Sequence, residues 1–152
     1  MSNFVILIRI LLSVIFGGII GFERSKRARP AGLRTHILVT MGSCLIMIVS
    51  LYIYQAYKKE VPLDPARIAA GVVTGIGFLG AGSIIRSAQE VRGLTTAASI
   101  WVSAGIGLAV GCGLYFASFV VTIFSLGVLF YLRRLEAALE IKNLEKEHKP
   151  KS

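Results

Sequence analysis

Five apolar runs, each near the length of a membrane crossing and separated by short charged links, constrain this chain more than any other feature. They cover residues 3–22, 35–57, 65–86, 94–111 and 114–132. Roughly 20 apolar residues are needed to cross a hydrocarbon core of ~30 Å. Backbone polar groups find no water there, so each run must satisfy its hydrogen bonds internally, as a helix. The expected fold class is therefore all-α: a polytopic transmembrane helical bundle of about five spans over 1–132. Residues 133–152 are read as a short charged cytoplasmic tail that first extends helix five. The first run reaches spanning length with no basic segment ahead of it, so no cleavable signal peptide is expected.

The links carry the charge. Arg24, Lys26, Arg27, Arg29 and Arg34 follow the first run, Arg86 and Arg92 the third, and Arg133, Arg134 and four lysines the fifth. The opposite side has Lys58, Lys59 and Arg67, and Arg9 lies inside the first run. This asymmetry places the N-terminus outside and the C-terminus in the cytoplasm. Tyr52, Tyr54 and Tyr57 fit an aromatic belt at the outer interface. A net charge of +9 in a soluble protein would suggest nucleic acid. Here the charges flank apolar runs, so the expected partner is the lipid bilayer and no nucleic acid.

"GIGFLGAG", Gly75–Gly82, contains G-x-G-x-x-G. A dinucleotide site needs a strand before the glycines, a helix beginning at them and an acid about 20 residues further on. The motif instead lies within an apolar run, and the later stretch reads "TTAASIW". At about 100° per residue, Gly71, Gly75 and Gly82 share one helical stripe, and Gly77 and Gly80 another. Helix four carries Thr95, Ser99, Ser103, Gly107 and Gly111 at spacing four, and helix one carries Ser13, Gly17 and Gly21. Small residues let helices approach closely in lipid, so helices one, three and four are expected to form a tight central cluster. Static packing and a bending, gating helix three both fit, and exposed small-residue stripes would suit a homo-oligomer.

Arg9 either snorkels to the outer interface or pairs with Asp64, its natural partner on that side. In "LDPAR", Asp64 fits an N-cap and Pro65 a first helical position, with Arg67 following. The outer side offers a divalent ion only Glu60 and Asp64, so no metal site is expected. On the basic side, Glu23, Arg24, Arg34, Thr35, His36, Arg86, Glu90, Arg92, Thr95 and Thr96 sit at helix ends. They could form an ion-paired latch, a docking surface for another membrane protein, or an anion site. Cys44 and Cys112 form no C-x-x-C and read as small packing residues. His36 has no evident partner, and His148 reads as solvated. No nucleophile–base pair is visible, so no catalytic residue, cofactor or enzymatic activity is expected.

Three separated stretches, "GFERSKRARPAGLRTHILVTMGS", "DPARIAAGVVTGIGFLGAGSIIR" and "VRGLTTAASIWVSAGIGLAVG", resemble the MgtC/SapB family of bacterial inner-membrane proteins. They run in order from helix one through helix four. The resemblance implies about five spans in the inner membrane and a role in adaptation to low magnesium, acid or phosphate stress, with survival in macrophages for pathogens. It further implies a protein that is not itself a magnesium transporter. Some members are thought to restrain the F-type ATP synthase and to answer to small membrane peptides. By position, the motif residues are Glu23, Arg24, Pro30, Gly32, Arg34, Thr35, Asp64, Gly75, Gly77, Gly80, Gly82, Arg92, Gly93, Thr95, Thr96 and Trp101. Longer virulence-type members carry an ACT-like domain after the last span. Only about 20 residues follow here, so that domain and the virulence role are not expected to carry over. The functional expectation is a non-enzymatic regulator of other membrane proteins, with a small oligomeric channel or transporter for magnesium, protons or phosphate as the alternative.

Overall fold

A computed structural model of the chain describes residues 1–60, 62–87 and 90–132. The tail expected at 133–152, with the proposed stem and His148, lies outside the described residues. The elements are α1 (Asn3–Lys26), α2 (Leu33–Tyr57), α3 (Ala66–Gly82), β1 (Ile85–Arg86), β2 (Val91–Arg92), α4 (Leu94–Cys112) and α5 (Tyr115–Gly127). One π-helical turn, Val128–Leu132, continues α5. The fold is an all-α bundle with a small β-ribbon attached.

Local chemistry explains most of the boundaries. Ser2 caps α1, its hydroxyl accepting from Val5 N at 3.4 Å. The chain leaves α1 through Ala28 at φ 51 and then reaches Pro30, which cannot continue a helix. Ser25, in the last turn of α1, accepts from Leu33 N at 2.7 Å and so starts α2. Asp64 Oδ1 accepts from Ala66 N at 2.8 Å at the start of α3. The end of α4 is a Schellman motif: Gly113 adopts φ 92, its N–H donates to Val110 O, and Leu114 N–H donates to Ala109 O. The resulting turn is tight enough to set α5 antiparallel beside α4.

The third run differs from its expected span. Helix α3 stops at Gly82, and Ser83 ends it with backbone and side-chain bonds to Gly80 O. Arg86 therefore lies in β1 and does not end a helix. Ile85 pairs with Arg92 and Arg86 with Val91 in an exposed antiparallel ribbon. Two-residue strands carry too little alternation to stand out beside a long apolar run. Four helices, α1, α2, α4 and α5 with its π turn, have the length and hydropathy for a crossing. The 17 residues of α3 extend about 26 Å at 1.5 Å each, just short of the ~30 Å core.

The centre of the bundle is α2, packed between α1 and α4. This corrects the expectation that helices one, three and four form the central cluster: α1 and α3 share no substantial contact, and α3 lies against α4 and the edge of α2. One core cluster joins Phe16 and Ile20 of α1, Cys44 and Ile48 of α2, and Ile106 and Val110 of α4. A second joins Ala31, Ile76, Ile100 and Ala104. The outward stripe of α1, Phe4, Leu7, Leu11, Ile15, Ile19 and Phe22, is exposed at helical spacing. An apolar stripe of that length facing outward fits a lipid environment.

Thr40 of α2 sits where the two close approaches meet. A Cβ on Gly17 would lie 2.6 Å from Thr40 Oγ1 and 2.7 Å from His36 O. A Cβ on Gly107 would run into Thr40 O. Gly21 and Gly111 touch α2 in the same way, at Leu33 and Cys44. These four glycines of α1 and α4 thus pack on α2, not on α3. Those of α3 have a different environment. A Cβ on Gly71, Gly75, Gly77 or Gly82 would meet no atom within 4 Å, and Gly80 makes only ordinary contact with Ala97.

Candidate functional site

The C-terminal ends of α1, α3 and α5 and the N-terminal ends of α2 and α4 meet at one end of the bundle. Ser25 touches Gly32, Gly93 touches Ser83, and a cavity there is lined by both Arg24 and Leu132. Most link arginines lie at this basic end, but the expected Glu/Arg/Thr group divides into separate arrangements.

Arg24 is buried, 4% exposed, and its Nη2 donates to Thr96 Oγ1 at 2.7 Å. The bond joins α1 to the first turn of α4. Thr96 O accepts from Ser99 Oγ at 2.8 Å, and Ser99 Oγ lies 3.1 Å from His36 Nε2. His36 is buried with Nδ1 2.9 Å from Gly32 O, a contact in which Nδ1 donates, and the single Ser99 hydroxyl proton serves either Thr96 O or His36 Nε2. His36 therefore has partners the sequence did not reveal, and it locks α2 to α4. Ser13 is also buried and bonds back to Ile10 O, and Ser103 is buried with its hydroxyl unpartnered.

Glu23 pairs with Arg27 one turn on. The Arg27 guanidinium also stacks over the Phe130 ring, 5.2 Å from its centroid. Arg92 pairs with Glu90 at 2.7 Å on the exposed ribbon. Arg34 is exposed on the first turn of α2. Thr95 is exposed beside Thr96 and borders a cavity of about 380 Å³ with Arg24, Arg27, Arg29 and Gly93. Arg27 and Arg29 stood out in the sequence only as orientation charges. Gly93 holds the ribbon against α4: its φ is 93, and a Cβ there would run into Ser83 O.

At the opposite end, Arg9 does not pair with Asp64. Its Nη1 donates to Gly111 O at 2.6 Å and its Nε to Tyr115 OH at 3.3 Å. The guanidinium caps the last turn of α4, where carbonyls lack intrahelical partners and the helix dipole favours a cation. Asp64 instead caps α3 through Ala66 N. Ser50 Oγ donates to Pro65 O at 2.7 Å and fixes that start onto α2. Arg67 is exposed beside Asp64 at the rim of an open cavity that also includes Tyr54. Among the described residues, no three His, Cys, Asp or Glu side chains are grouped to hold a metal ion.

Long apolar helices, outward apolar stripes and a buried seam of small and hydroxyl residues define a multi-pass helical membrane protein. The chain belongs to the MgtC family, whose model matches residues 10–138. It is 48% identical over 139 residues to YhiD of Escherichia coli (strain K12), which carries the provisional name of a magnesium transporter; the match covers 90% of this chain and 65% of YhiD. It is 42% identical over 144 residues to the protein MgtC of Salmonella typhimurium (strain LT2), covering 95% of this chain and 58% of the relative. It is 40% identical over 124 residues to the protein SapB of Bacillus subtilis (strain 168), covering 80% and 53%. The chain thus spans under two thirds of the length of these relatives. No solved structure matches it.

Proposed function

We propose that the chain is a non-enzymatic regulatory module of the bacterial inner membrane that acts by binding another integral membrane protein through α3 and the adjoining ribbon. One observation carries this reading. Of the 17 residues of α3, only Ile76 and Gly80 are buried. Its remaining glycines have no described atom within reach of a Cβ, whereas Gly17 and Gly21 of α1 and Gly107 and Gly111 of α4 lie tight against α2. Glycine lowers helix stability by roughly 1 kcal/mol relative to alanine in water. Three of the α3 glycines, Gly71, Gly75 and Gly82, share one uncovered stripe, which suits a helix that another helix approaches closely. A groove of about 500 Å³ runs beside this face between α2 and α3, lined by Gly42, Ser43, Gly71 and Gly75 among others. Arg86, Glu90 and Arg92 extend the surface past the end of α3 and are exposed. The F-type ATP synthase and small membrane peptides, implied by the family resemblance, are the partners proposed. Adaptation to low magnesium or acid is the setting.

The test is co-purification of the ATP synthase with the tagged chain from membranes. Gly75→Leu fills the open face, where a Cβ meets no described atom within 4 Å. Binding should fall at least about tenfold while insertion and melting temperature hold. Undiminished binding would remove α3 as the docking element.

A second reading, transport by an oligomer, is favoured by the name that YhiD carries. In that arrangement the α3 faces of several copies would line the path, with Arg9, Asp64 and Arg67 at its outer end. Purified protein in proteoliposomes separates the two readings. Flux of magnesium, protons or phosphate above empty vesicles supports transport, and its absence supports regulation.

A further inference from the structure

Two cavities adjoin at the basic end. The first, about 380 Å³, is bordered by Arg24, Arg27 and Arg29 and by Thr96 and Gly93 at the start of α4. The second, about 310 Å³, is an apolar cleft between α1, α4 and α5, lined by Ile20, Ala98, Val102, Val121 and Phe124. Thr95, Val128 and Leu129 border both, so the charged space lies directly against the greasy one.

The chemistry of the two halves differs sharply. Three arginines border the first, Arg27 among them with its guanidinium also paired to Glu23 and stacked on Phe130, and no acid is among its described lining residues. Guanidinium is planar and binds phosphate through paired N–H donors. The first turn of α4 adds backbone N–H groups that no side chain caps. The second half has no charged lining residue and runs along the helices toward the middle of the bundle. A preference for positive charge on one side of the membrane accounts for arginine at this end in general. It does not account for three arginines bordering one cavity that adjoins an apolar cleft.

We infer that this space is a binding site for one anionic phospholipid, its phosphate held by Arg24, Arg27 and Arg29 and an acyl chain lying in the cleft between α4 and α5. A soluble phosphate would satisfy the arginines but leave the cleft empty. A zwitterionic lipid would fill the cleft, but the positive group of its head would face the guanidiniums. A phospholipid with net negative charge satisfies both halves. The site lies apart from the docking face on α3 and is independent of that reading.

The test uses the purified full chain in neutral detergent and native mass spectrometry. The probes are phosphatidylglycerol, phosphatidylcholine with the same acyl chains, and inorganic phosphate. Phosphatidylglycerol should be retained at least about tenfold better than phosphatidylcholine, a difference of about 1.4 kcal/mol, and inorganic phosphate in excess should not displace it. Arg29→Gln, at an exposed position that does not endanger the fold, should cut the preference several-fold. Ala98→Leu, which narrows the cleft, should weaken retention of phosphatidylglycerol. Equal retention of the two lipids would overturn the proposal, as would displacement by inorganic phosphate, which marks a soluble-anion site. Full preference in both variants would also overturn it.

Discussion

Arg9 of α1 donates to the carbonyl of Gly111 at 2.6 Å, tying the N-terminal part of the first helix to the end of the fourth. A cation at this place satisfies an orphan carbonyl and lies favourably at a helix C-terminus. Arg9→Met keeps the apolar stem and removes both roles, so it should destabilise the protein by about 1.5–3 kcal/mol. Arg9→Lys should recover part of that. Thermal unfolding in detergent measures both. Asp64→Asn should leave this contact unchanged, because Asp64 is engaged with Ala66 N.

The two classes of glycine should respond oppositely to the same substitution. Gly107→Ala places a methyl group against Thr40 O and should cost about 1–3 kcal/mol through overpacking. Gly75→Ala meets nothing within 4 Å and should be neutral or stabilising by up to ~1 kcal/mol in helix propensity. Melting temperatures of the two variants, read side by side, check whether α2 or α3 is the packed centre.

Thr96→Val keeps shape and removes the hydroxyl that accepts from the buried Arg24. The expected loss is about 1–3 kcal/mol, because the guanidinium remains buried with one acceptor fewer. Hydrogen exchange should show the first turn of α4 opening more readily, while the C-terminal end of α4, held by Arg9, stays protected.

Gly93→Ala tests the junction between the ribbon and α4. A Cβ there would run into Ser83 O, and the left-handed backbone costs an alanine about 1–2 kcal/mol more than a glycine. The ribbon should lose protection against exchange before the helices do. Unchanged protection of Arg86 and Arg92 amides would show that the junction does not depend on this glycine.

Length and apolarity were enough to fix the class of fold and the order of the helices, because in lipid every run must close its own backbone hydrogen bonds and no partner is needed to specify that. The local start of α3 was equally legible: Asp64 and Pro65 marked it, and Asp64 accepts from Ala66 N there. Which stripes meet was decided by tertiary structure alone. Glycine stripes occur on α1, α3 and α4 at similar spacing, and lipid supplies no hydrophobic difference between a buried face and an exposed one. Shape made the choice. Thr40, Ser43 and Met47 of α2 fit against the glycines of α4, and Thr40 and His36 fit against those of α1, so α3 was left outside. The partner of Arg9 was hidden for a related reason. It is a backbone carbonyl, a group every residue carries, and only the folding of α4 onto α1 selected the one at Gly111.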